Sequence, residues 1–114
     1  MDDQYNLAYQ KKAQVMRLTP EQIHIIKSTA QSVLGEGAQV ILFGSRVDDT
    51  LKGGDIDLLM ELDTRVPNKT QAIGQIYAQL IEKLGDRKID ILIKDPSTQP
   101  AAIFTVAQET GVRL

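Results

Sequence analysis

The sequence has no cysteine and no tryptophan, and two phenylalanines and three tyrosines supply all of its phenyl rings. Without a thiol there is neither a disulfide framework nor a thiolate metal site. Positive charge is scarce as well. Thirteen Lys and Arg stand against fifteen Asp and Glu, the formal net charge is -2, and no basic block occurs. Proteins that grip extended nucleic acid carry a basic stripe, so that class is excluded. No apolar run approaches the length of a membrane span, and the opening MDDQYNLAYQKK lacks the apolar centre of a secretion signal. The expected location is the cytoplasm, with no membrane partner. What remains is 114 residues, 42% hydrophobic and 25% charged, the composition of one soluble domain with a small core.

Residues 1–18 are polar and mixed and read as an arm or a short helix, ahead of a domain over 19–114. Thr19-Pro20-Glu21-Gln22 is a helix start, with Thr19 as N-cap, Pro20 in the first turn and Gln22 closing a capping box. Ile23, Ile26, Ala30, Val33 and Leu34 follow at helical spacing, and Gly35 and Gly37 stop the helix. Gln39–Phe43 and Asp55–Leu62 are β-like runs. Pro67 and Asn68 open a second helix, with Ile73, Ile76, Tyr77, Leu80, Ile81 and Leu84 as its apolar face and Gly85 at its end. Lys88–Lys94 reads as a third strand, Gln99–Glu109 as a last helix, and Gly111–Leu114 as a short extended piece. The fold expected is α/β (α+β), a small mixed sheet with helices mainly on one face.

One stretch resists this pattern. In ILFGSRVDDTLKGGDIDLLMEL, from Ile41 to Leu62, the second strand carries Asp55 and Asp57 on one face, although aspartate suits strand interiors poorly. Asp90 lies within the third strand. If the two strands are neighbours, three carboxylates converge, and they need positive charge. A divalent cation that prefers hard oxygen donors, above all Mg²⁺, supplies it. Two such ions are the standard device for in-line nucleotidyl transfer. Upstream, Gly44 lets backbone approach a ligand closely, Ser45 offers a hydroxyl and N–H groups to phosphate, and Arg46 adds a forked donor. The stretch is neither a P-loop, which needs G-K-[ST], nor a G-x-S-x-G elbow, nor an EF-hand loop. Taken singly, Gly44-Ser45-Arg46 is also compatible with a plain turn, and Arg46 with a surface pair to Asp48 or Asp49. His24 reads as a surface residue of the first helix.

Gly44-Ser45, nine residues, then Asp55-Ile56-Asp57, with Asp90 in a later strand, resembles the DNA polymerase β-type nucleotidyltransferase superfamily. The similarity is greatest to the minimal nucleotidyltransferases, antitoxins paired with HEPN-domain toxins, and it covers Thr19 to the C-terminus. The resemblance implies a palm-like core. It assigns Gly44, Ser45 and Arg46 to the nucleotide, Asp55 and Asp57 to both metal ions, and Asp90 to completing the site and activating the acceptor hydroxyl. It further implies Mg²⁺ as cofactor, ATP as substrate, and transfer of AMP to a tyrosine of a HEPN toxin. Three departures stand out: a spacing from Ser45 to Asp55 one residue short, Gly54 where a serine is common, and Asp48-Asp49 where small residues are usual. None touches a metal ligand. The alternatives are a non-catalytic antitoxin acting by occlusion and a small-molecule nucleotidyltransferase.

Overall fold

A computed structural model of the chain describes residues 18–44 and 55–114. Residues 1–17 of the expected arm or short helix (1–18), together with Ser45, Arg46, Asp48, Asp49, Lys52 and Gly54, lie outside the described residues. Helix α1 (Pro20–Leu34) begins on the expected capping box. The Gln22 N–H donates to Thr19 Oγ1 at 3.1 Å, and the Thr19 N–H donates to Gln22 Oε1 at 2.9 Å. Two donors that a helix end leaves without partners are thereby satisfied. Helix α2 (Lys69–Leu84) starts the same way, with Asn68 Oδ1 accepting from the Gln71 N–H at 3.0 Å.

Strands β1 (Gln39–Phe43), β2 (Ile56–Glu61), β3 (Ile89–Lys94) and β4 (Val112–Arg113) form one sheet in the order β3-β2-β1-β4. β1 is antiparallel to both β2 and β4, whereas β2 and β3 are parallel and α2 is the crossover between them. One sheet face presents Val40, Leu42, Ile56, Leu58, Met60, Ile89, Ile91 and Ile93 to α1 and α2, whose Ile23, Ile26, Ile76 and Leu80 are fully buried. The other face presents Ile41, Phe43 and Leu59 to Ala107 and Phe104 of α3 (Ala102–Thr110). With two of the described helices on one face and one on the other, the expected mixed α+β architecture is what the chain adopts. Each fully buried Leu or Ile contributes about 1.5–3 kcal/mol, so the larger α1–α2 layer dominates the stability.

Some details differ from the sequence expectation. Asp55 precedes β2 instead of opening it. Helix α3 starts at Ala102, after Ala101 in extended backbone with no side-chain cap, because Pro100 disfavours helix before it. Tyr77, expected on the apolar face of α2, is 41% exposed, while Ala72, Ile76 and Leu80 take the buried positions.

Asp95, at the end of β3, is a buried fastener. Its carboxylate accepts from the Val66 N–H at 2.7 Å, the Ser97 N–H at 2.9 Å and the Ser97 hydroxyl at 2.7 Å, and pairs with Lys69 Nζ at 3.1 Å. These bonds, Val66 foremost, hold its pKa far below the ordinary carboxylate range against the opposing effect of burial. The segment leading into α2 is thereby tied to the end of the strand that follows it.

Candidate functional site

The α3 face of the sheet is organised in rows, because strand side chains alternate and the register is continuous. Phe43, Asp57 and Asp90 share one row, Ile41, Leu59 and Leu92 the next, and Gln39, Glu61 and Lys94 the last. The middle row is apolar and lies under α3. The last row is polar: Arg113 donates to Gln39 Oε1 at 3.2 Å and pairs with Glu61 at 3.4 Å, while the Gln108 amide donates to Glu61.

The first row holds the expected acids. Asp57 is half-buried on central strand β2, flanked by buried Phe43 on one side and by Asp90 on the other. Asp90 is exposed, on edge strand β3. The two side chains are within hydrogen-bonding reach. Burial raises the pKa of Asp57, the bond to Asp90 and repulsion from Asp90 and Asp55 raise it further, and Lys88 offsets part of the effect. The sheet register therefore brings Asp57 and Asp90 together, although they are far apart in sequence.

Asp55 stands apart from this pair. It precedes β2, and Lys88 Nζ approaches its Oδ2 to 4.0 Å. Among the described residues no group of three His, Cys, Asp or Glu is gathered closely enough to hold one metal ion. The expected convergence is thus realised for Asp57 and Asp90, with Asp55 beside them.

Gly44 lies where β1 ends, with a φ of +80°, and a β-carbon there would collide with the Asp57 carboxylate. In the sequence this glycine reads as allowing close approach of a ligand; in the structure the group next to it is the Asp57 carboxylate. Ser45 and Arg46 lie outside the described residues. His24 is exposed on α1, on the far side of the sheet from the acids. Lys88 was not singled out in the sequence. Its position two residues before Asp90 was the available signal.

The donors suit a hard divalent cation. All are carboxylate oxygens, the donor type such a cation takes, and burial together with the neighbouring acids disfavours the charged form of Asp57. The cleft lined by Val33, Leu34, Leu62, Arg65, Pro67 and Gln71 lies beyond the opposite end of β2 and gathers no acids. No helix among the described residues is long and apolar enough to cross a membrane.

The family model for a nucleotidyltransferase domain matches residues 23–111, from α1 through α3 and including the whole acid row. No curated protein matches the sequence.

Proposed function

The chain belongs to the nucleotidyltransferase domain family, and on that premise we propose that it transfers AMP from ATP, with Mg²⁺, to a hydroxyl on a partner protein. One observation carries this reading: Asp57 and Asp90 stand in register on neighbouring parallel strands, with Gly44 closed against Asp57. Asp57 and Asp90, with Asp55 beside them, are the residues that would hold the metal. Bound there, Mg²⁺ supplies the positive charge that offsets the oxyanions of the triphosphate. Gly44, Ser45 and Arg46 hold the phosphates.

Asp90 sits on the open edge of the sheet, where a large acceptor has access. It takes the proton as the acceptor oxygen bonds to the α-phosphorus. The bond from that phosphorus to the bridging oxygen breaks, and pyrophosphate leaves with the electron pair. Asp57, fixed by Gly44 and Phe43, orients the reacting group, and positioning with electrostatics does most of the work.

The exposed edge acid and the lack of a basic block in the sequence favour a protein acceptor over a nucleic acid. The partner we infer from the motif is a HEPN-type toxin, silenced by modification of a tyrosine, so that the chain acts as its antitoxin. The test is label transfer from α-³²P-ATP with Mg²⁺, using wild type and Asp57→Asn, with host lysate and the product of the neighbouring gene as acceptors. One labelled protein, absent with the variant, supports the reading. A stable complex that carries no label replaces it with neutralisation by occlusion.

A further inference from the structure

Four charged side chains share the acid end of the sheet, and one of them is a cation. Asp55 and Lys88 immediately precede β2 and β3, each two residues before the acid of its strand, Asp57 and Asp90. The Ile56 N–H donates to the Lys88 carbonyl at 3.0 Å, which fixes the Lys88 backbone beside Asp55. Its ammonium stands 4.0 Å from Asp55 Oδ2, and Lys88 is the cation that offsets the repulsion at Asp57. The acids facing it are therefore Asp55, Asp57 and Asp90. Lys94, on the same face of β3, lies at the far end beside the Glu61 row.

This ion pair does little for folding. The two side chains are 67% and 49% exposed, and pairs this open and this long are weak. Lysine carries its charge on a flexible stem, so the ammonium can change partners without moving the strand. Asp55 is also the acid that stands apart from the Asp57–Asp90 pair. A lysine that engages Asp55 and is easily dislodged has the properties of a place-holder for stronger positive charge.

We propose that Lys88 is a nucleotide-binding residue with two partners: it neutralises Asp55 in the metal-free protein, and it turns to the triphosphate when a divalent cation takes Asp55. This rests on the metal-dependent reading above and assigns a residue that reading leaves out. The exchange keeps the site near charge balance at both stages, since each negative group gains a cation as the previous one departs.

The experiment is a titration of the metal-free protein with Mn²⁺, followed by electron paramagnetic resonance, for wild type, Lys88→Met, Lys88→Arg, Lys94→Met and Asp57→Asn. ATP is then titrated at saturating Mn²⁺ and followed by calorimetry. Removing a competing cation makes Mn²⁺ bind Lys88→Met more tightly, by about three- to tenfold. The same variant binds ATP more weakly, by about tenfold. Lys88→Arg retains most of the ATP affinity, and Lys94→Met matches wild type in both. Unchanged or weaker Mn²⁺ binding by Lys88→Met overturns the exchange, and unchanged ATP binding overturns the phosphate role. If wild type binds Mn²⁺ no better than Asp57→Asn, the metal reading falls and this inference falls with it.

Discussion

The Asp57 carboxylate occupies the space that a β-carbon on Gly44 would need, and Gly44 holds a φ of +80°. Either fact alone would disfavour a side chain there. Together they make the end of β1 and the middle acid of the site one mechanical unit. Gly44→Ala must both strain the backbone, at about 1–2 kcal/mol, and push Asp57 aside. We expect a folded protein with unchanged far-ultraviolet circular dichroism and nucleotidyl transfer reduced by about 100-fold. Wild-type activity in this variant would show that Asp57 need not stay where Gly44 holds it.

Burial and two neighbouring acids disfavour the charged form of Asp57. Because its folded pKa is raised from 3.8, the folded state loses stability as pH rises through the interval above that value. Asp57→Asn removes the repulsion. The metal-free variant should melt a few degrees higher than wild type at pH 7, by differential scanning calorimetry, while transfer falls by more than about 100-fold. Added Mg²⁺ should raise the melting temperature of wild type and leave the variant unchanged. A lower melting temperature in the metal-free variant would contradict the electrostatic account.

Asp95 behaves in the opposite sense. Its folded pKa lies below the ordinary 3.8, so its contribution is complete above that value and is lost as pH falls below it. The urea midpoint of wild type should therefore decline below pH 4. In Asp95→Asn the midpoint should be lower at neutral pH, because the charged acceptor of the Val66, Ser97 and Lys69 bonds is gone, and the decline in acid should be shallower. Parallel curves for the two proteins would mean that Asp95 contributes nothing to acid sensitivity.

The capping box of α1 is remote from the acid row. Thr19→Ala should cost about 1 kcal/mol of stability and leave ATP and metal binding as in wild type. Chemical denaturation and calorimetric ATP binding separate the two effects. A loss of ATP binding with stability intact would tie α1 to the site in a way its packing does not suggest.

The caps and the alternation were legible because each is written in a few adjacent residues. Thr19 with Gln22, Asn68, and the Asp55–Asp57 spacing depend only on neighbours along the chain. Asp90 was harder. Its identity as an acid inside a strand was visible, but its register opposite Asp57 depends on a parallel pairing closed by α2, which no local pattern encodes. Asp95 shows the same divide: the Asp95-Pro96 pair is a local strand-ending signal in the sequence, whereas its bond to Val66 is a long-range contact. Tyr77 fell on the apolar side by periodicity, yet α2 needs only a narrow stripe against the sheet, so the ring stays outside. Lys88 went unremarked because a lysine at the start of a strand is ordinary until its neighbour across the sheet is known.

The parallel pairing of β2 with β3 has a consequence for how the protein comes into being. On the ribosome, Asp55 and Asp57 emerge well before Asp90, and all of α2 is synthesised in between. Until the crossover is complete and β3 has docked, Asp57 has no opposite carboxylate. The paired acids are therefore a product of long-range folding: no nascent segment that ends before β3 contains them, and the repulsion between Asp57 and Asp90 begins only when that strand docks.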